Sequence, residues 1–250
     1  MVRIAGYHTN IICIKKDGVV LLEKEYTEAP VSQQTDRSEL SVEGIIEFAN
    51  TVDINDIKEV IGRQIEYNTA IAEEGLRGNW GANIGTILLK SYGNSVFNRA
   101  KAMAAAGSDA RMNGCVLPVM INSGSGNQGM TVSLPVAVFA DYLFADKEKE
   151  YRALVLSNLV AIYQKNELGK LSAYCGAVSA ATGAGAGIAY LHGADFDTIA
   201  ETITNTLANV SGIVCDGAKA SCAAKIASSV DAAIMAYYMA AEHRGFQSGE

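Results

Sequence analysis

Proline, tryptophan and histidine are scarce in this chain, with three prolines, one tryptophan and three histidines in 250 residues. So few prolines leave most of the sequence free to be helical. Charge is also sparse. Only 19% of residues are charged against 49% hydrophobic, which excludes a disordered chain and supplies the apolar surface of a sizeable core. There is no excess of positive charge. A net charge of −7 argues against nucleic acid or an anionic membrane as the main partner. No apolar run reaches the roughly 18–20 residues that span a bilayer. The stretch from Cys175 to Leu191 comes nearest, but its glycines and alanines read as a buried helix of a soluble domain. The start, Met1-Val2-Arg3-Ile4-Ala5-Gly6, carries no signal-peptide pattern. Five cysteines, an odd number, fit a reducing cytoplasm better than a disulfide framework.

Two regions differ in pattern. Ile11-Ile12-Cys13-Ile14 and Val19-Val20-Leu21-Leu22 flank Asp17-Gly18, which reads as a β-hairpin. A bare hairpin is marginal in water, so it is expected to belong to a larger sheet, or to a sheet whose other strands are missing here. Residues 26–38 are polar, contain Pro30 and read as a linker. Behind Ser41, a serine N-cap, the apolar spacing turns helical. Asp53 or Asn55 caps a second helix with Ile57, Val60, Ile61, Ile65 and Ile71 on one broad face. Further helices are expected near 80–91, 95–111, 128–144, 148–167, 173–191, 195–210 and 218–243, with Pro118 in an extended link and Pro135 in or near a kinked helix. The expected fold is therefore mostly α (α+β). A β-hairpin and linker over 1–38 precede a compact multi-helix domain over 39–250.

Three segments bear chemistry. In Asn122-Ser123-Gly124-Ser125-Gly126-Asn127-Gln128-Gly129, three glycines and a set of neutral donors precede a helical run. Such a loop can present free N–H groups to a carboxylate or phosphate, or it can simply cap the helix. It is no P-loop, since no Gly-Lys-Ser/Thr follows. Cys175 opens a run of small residues to Gly187, a placement that lowers a thiol's pKa. A structural cysteine in a tight helix pair is the plainer reading. Cys215 and Cys222 lie seven residues apart, the first in the turn Gly212-Ile213-Val214-Cys215-Asp216-Gly217 and the second opening the next helix. Three such thiols suit a soft metal centre and lack the paired C-x-x-C of a zinc ribbon. Asp109 and Arg111 suit either an ion pair or substrate orientation. Cys13 and Cys115 read as core, and Lys170, Lys219 and Lys225 sit in no context typical of a pyridoxal lysine.

Together the blocks Asp109 to Gly114, Asn122 to Gly129, Cys175 to Gly187 and Gly212 to Gly217 resemble the iron–sulfur L-cysteine desulfidases and a sister family. The resemblance covers nearly the whole chain, and extends more distantly to the α domain of bacterial iron–sulfur L-serine dehydratases. It implies a [4Fe–4S] cluster held by three cysteines, with one iron left open as a Lewis acid for the substrate's β-thiol or β-hydroxyl. It implies β-elimination of L-cysteine or L-serine to pyruvate and ammonia, with release of sulfide or water. Cys175 and Cys215 match cluster ligands. The desulfidases' Cys-Thr-Glu-Pro block is missing, so the third ligand is either Cys222, by comparison with the serine dehydratases, or a cysteine outside this chain. That departure leaves open whether the chain is active by itself. The loop residues Asn122, Ser123, Gly124, Ser125, Gly126, Asn127 and Gln128 would then hold the substrate's carboxylate. No base is assigned; His8 and His192 are weak candidates, beside His243. The alternative is a non-catalytic amino-acid-binding or structural domain that needs a missing N-terminal segment or partner chain. A small amino acid, no nucleic acid, no membrane, a homodimer and a cytoplasmic location complete the expectations.

Overall fold

The computed structural model describes residues 1–6, 9–26, 36–169 and 172–246. Strands β1 (Val2–Ile4), β2 (Ile11–Lys16) and β3 (Val19–Glu23) form one antiparallel sheet in the order β1-β2-β3. Lys16 lies opposite Val19, and both turn residues have positive φ, 51° at Asp17 and 84° at Gly18. That is the two-residue turn expected of an Asp-Gly hairpin, whose backbone twist matches the strands it joins. The third strand, β1, extends the expected hairpin. The Met1 ammonium donates to the Lys15 carbonyl at 2.7 Å and ties down its start. The linker expected over 26–38 lies mostly outside the described residues.

Nine helices follow among the described residues: α1 (Val42–Thr51), α2 (Ile54–Arg77), α3 (Ile84–Tyr92), α4 (Val96–Met112), α5 (Gly126–Tyr142), α6 (Lys147–Leu168), α7 (Gly176–Leu191), α8 (Phe196–Val210) and α9 (Cys222–Ala241). Most start where a capping side chain accepts an orphan N–H. Ser41 accepts from Gly44 at 3.0 Å, Asp53 from Asn55 at 2.8 Å, Asp146 from Lys149 at 2.8 Å and Asp195 from Thr198 at 2.9 Å. Each such cap is worth about 1 kcal/mol. The helix α3 differs: its N-cap, Asn83, is left-handed and makes no capping bond with its side chain. Asp109 of α4 caps it from outside, accepting from the Ile84 N–H at 2.7 Å.

Two helices form the centre. In α5 the residues Gly126–Phe139 are almost all buried, and α7 is buried nearly all round. A helix without a polar face belongs inside, and α7 packs against α5, α6, α8 and α9. Its small residues make this possible. A Cβ added at Gly183 would collide with the Ser157 carbonyl of α6, and one at Gly187 would lie 3.0 Å from the Ala153 carbonyl. Pro135 stands inside α5, which runs through it. The broad face assigned to α2 needs one correction: Val60 is exposed, while Ile61, Gln64, Asn68 and Ile71 point inward. No helix among the described residues is long and apolar enough to cross a membrane.

Those buried amides of α2 position a loop. Asn68 accepts from the Met120 N–H at 2.9 Å and donates to Ser133 Oγ at 2.9 Å. Gln64 and Asn158 of α6 exchange two hydrogen bonds, at 3.0 and 2.8 Å. Asn122 donates to Asn158 Oδ1 at 2.9 Å. The segment that links α4 to α5 is thereby fixed from two neighbouring helices.

Candidate functional site

The site begins with backbone. Tyr174 and Val214 form an isolated antiparallel bridge, in which the Cys175 N–H donates to the Ile213 carbonyl at 3.2 Å and the Cys215 N–H to the Ala173 carbonyl at 2.6 Å. Alternation along paired strands puts the two cysteines on the face opposite Tyr174 and Val214, which are both exposed. Diagonal neighbours in such a pair stand about 7–8 Å apart. Cys175 is the N-cap of α7 and is buried, whereas Cys215 is exposed. Cys222 opens α9 and is buried; its Sγ accepts from the Lys219 N–H at 3.5 Å and lies 3.9 Å from the Gly217 carbonyl. The chain from 215 to 222 folds back around this sulfur.

Electrostatics ties the three thiols together. Burial pushes the Cys175 thiol up, the N–H groups of Val178 and Ala177 pull it down, and negative charge on Cys215 or Cys222 pushes it further up. The expectation that the start of α7 lowers this thiol is thus reversed, because burial outweighs the helix N–H groups. Lysines surround the set. Lys165 of α6 is held down by burial and up by the charges of Cys215 and Cys175. Lys219 and Lys225 both grip Asp216 at 2.6 Å, and their hydrogen bonds hold its carboxyl well below the usual carboxylate range. Asp216 is therefore engaged by cations and not free to act as a ligand.

Does this set fit an iron–sulfur cluster? Among the described residues, no three His, Cys, Asp or Glu side chains converge closely enough to hold a single metal ion. The donors gathered around Cys175 are thiols alone, with cationic residues about them. That is the chemistry of a thiolate-bound cluster, in which each cysteine binds a different iron, and not of a hard cation. In donor type and neighbourhood the three cysteines fit the group.

The glycine–serine loop reaches the same place. Asn122 and Ser125 exchange backbone hydrogen bonds at 3.1 and 3.0 Å around Ser123 and Gly124, whose φ values are 48° and 82°. Ser125 then caps α5, accepting from the Gln128 N–H at 3.4 Å. The Asn122 side chain is committed to Asn158, and Ser123 Oγ donates to Asn122 Oδ1 at 2.9 Å. Asn127 and Gln128, by contrast, turn toward functional neighbours. Arg111 donates to Asn127 Oδ1 at 3.3 Å. The Gln128 amide lies against Gly176, the residue after Cys175: a Cβ there would stand 2.8 Å from its Nε2.

The other sequence candidates disperse. His8 and Lys170 lie outside the described residues. His192 caps the far end of α7, a helix length of about 24 Å from Cys175. It stacks on Tyr237 with ring centroids 4.8 Å apart. His243 lines a cleft of about 450 Å³ with Asp195 and Glu201, away from the cysteines. Asp109 and Arg111 form no ion pair, since Asp109 caps α3 while Arg111 faces Asn127. Cys13 is buried in β2, as expected of core, and Cys115 is partly buried against the main core. A second cleft of about 420 Å³, lined by Tyr174, Cys175, Val178, Ser179, Leu207 and Ile213, opens beside Cys175. Lys165 was missed by sequence reading, as nothing local marks it. Gln64 and Asn68 carried a signal, being two amides at i and i+4 within the apolar stripe of α2.

Comparison with known proteins now meets this geometry. A family model described as "Serine dehydratase alpha chain" matches residues 18–249. The chain belongs to that family. Its match spans β3, all nine helices and every cysteine of the candidate centre. Among curated relatives, the chain is 62% identical over 250 residues to a UPF0597 protein of Lachnoclostridium phytofermentans, covering all of this chain and 60% of the relative. It is 59% identical over 248 residues to UPF0597 protein DSY1109 of Desulfitobacterium hafniense, covering 99% of this chain and 58% of the relative. It is 42% identical over 262 residues to UPF0597 protein YhaM of Salmonella newport, covering all of this chain and 59% of the relative. The chain thus spans about three-fifths of the length of the curated relatives it matches. No solved structure gives a significant match.

Proposed function

We propose that this chain is the cluster-bearing part of a lyase acting on L-cysteine or L-serine. The overall reaction converts L-cysteine and water to pyruvate, ammonia and hydrogen sulfide, or L-serine to pyruvate and ammonia. The observation that carries the reading is the Tyr174–Val214 bridge, which brings Cys175 and Cys215 together from segments 40 residues apart in sequence. Cys175, Cys215 and Cys222 would hold a [4Fe–4S] cluster. When bound, the cluster would supply a Lewis acid that makes the substrate's β-substituent a better leaving group.

The chain's own residues do the rest of what can be read. Lys165 and Lys225 place positive charge beside Cys175, and Lys219 joins Lys225 in neutralising Asp216. The bridge fixes two cysteines on rigid backbone, and the Gly217–Cys222 turn fixes the third. Asn127 and Gln128 present buried amides beside Gly176, where they can orient a small polar substrate against the thiols.

The test is turnover. Protein reconstituted anaerobically with iron and sulfide is expected to release pyruvate from L-cysteine or L-serine, and Cys175→Ser and Cys215→Ser to abolish it. Cluster-loaded protein that yields no pyruvate from either amino acid, even with the remaining two-fifths of a UPF0597 relative supplied, would remove this reading.

A further inference from the structure

We propose that Arg111, together with Asn127 and Gln128, forms the seat of the substrate's α-carboxylate. The proposal deepens the lyase reading and rests on it in taking an α-amino acid as the ligand. Arg111 stands in the last turn of α4, half-buried, with no carboxylate within 4.0 Å among the described residues. Its polar contacts are Asn127 Oδ1 at 3.3 Å and Met112 Sδ at 4.0 Å. A guanidinium is always charged and seeks a planar, two-oxygen acceptor, and a neutral amide oxygen satisfies it poorly.

Its placement is built, not incidental. The side chain lies flat on Gly126, the first residue of α5; a Cβ there would stand 2.5 Å from Nε and 3.0 Å from Cδ. Any larger residue at 126 would displace the guanidinium. Gly126 and Asn127 open α5, and a helix start favours negative charge.

A second observation points to a ligand independently. Gln128 is 6% exposed, yet its side-chain amide makes no hydrogen bond among the described residues. Asn127 is 4% exposed, and its Nδ2 has no acceptor either. The buried side-chain atoms left unpaired among the described residues are Ser108 Oγ and Asp109 Oδ1, so these two amides, on residues more than nine-tenths buried, keep the narrow opening to solvent through which a small ligand would reach them. These two lie in a row that runs from Arg111 to Gly176 and ends at Cys175. An α-amino acid has the same layout, with a carboxylate at one end and the β-heteroatom three bonds away. The carboxylate would meet Arg111 and the start of α5 and accept from the amide N–H groups, the amide oxygen of Gln128 would accept from the α-ammonium, and the β-substituent would face the thiols.

Calorimetric titration of the cluster-free protein with L-serine and with L-serinamide tests this. L-serine is expected to bind, and serinamide, which lacks the carboxylate, to bind at least tenfold more weakly. Arg111→Gln is expected to weaken L-serine at least tenfold, and Arg111→Lys to recover part of that loss. Gly126→Ala, which pushes on Arg111 without removing it, is expected to fall between them. Circular dichroism melts of each variant establish that folding is retained. Wild-type affinity in a folded Arg111→Gln, equal binding of serinamide, or no binding of L-serine by wild type would each overturn the proposal. Arg111-dependent binding in a protein that takes up no iron would keep the seat and remove the lyase reading. Iron uptake with Arg111-independent binding would do the reverse.

Discussion

At the scale of single residues, position outweighs type. Cys175 and Cys222 are both buried thiols near helix starts, while Cys215 is exposed in a turn, and only the fold joins them. Their presence was legible in the sequence; their convergence was not, because a bridge between residues 174 and 214 leaves no local pattern. The thiol shift was misjudged for a physical reason, since sequence shows a helix start and not the burial that overrides it. Two residue-level predictions follow from the same environments. Gly176→Ala puts a methyl 2.8 Å from Gln128 Nε2, so the amide must turn away; amino-acid binding by calorimetry is expected to weaken severalfold with little change in melting temperature. His192 is the second. Burial and then Lys149 lower its pKa, so the folded protein disfavours its charged form. Its contribution is intact above about pH 6.5, the unfolded value, and is lost as pH falls through the folded value. Melting temperature is therefore expected to decline from about pH 6.5 downward, and His192→Phe to flatten that decline.

At the scale of elements, caps and apolar spacing made the helices readable. Ser41, Asp53, Asp146 and Asp195 accept the N–H groups their sequence positions suggest. Asp195→Ala is expected to cost about 1 kcal/mol in denaturant unfolding. Where the cap came from elsewhere, the boundary blurred: α3 begins at Ile84 under Asp109, four residues later than the spacing placed it. Strand β1 carries too little signal to read from sequence because it is only three residues long. The role of α7's small residues was half-legible. Their run announced close packing but not its partners. Gly183→Ala would ordinarily stabilise an exposed helix by about 1 kcal/mol. Against the Ser157 carbonyl it is expected instead to destabilise by about 1–3 kcal/mol. Gly212→Ala, with nothing within 4 Å, serves as the control and is expected to change stability by less than about 0.5 kcal/mol.

At the scale of the whole molecule, the described contacts of the sheet and those of the helices do not overlap. Among the described elements, each strand packs only on other strands, and no strand approaches a helix. Deleting residues 1–26 is therefore expected to leave the melting temperature of the helical part within about 2 °C, and a large loss would show contacts that this arrangement lacks. The loop and the bridge meet at the start of the buried α7. The most direct measurement is an anaerobic count of iron and acid-labile sulfide per chain after reconstitution, for wild type, Cys175→Ser, Cys215→Ser, Cys222→Ser and Cys13→Ser. The account expects close to four of each, with a broad visible absorbance, in wild type and Cys13→Ser, and a sharp loss in the other three. Equal iron and sulfide in all five proteins, or none in any, would contradict it.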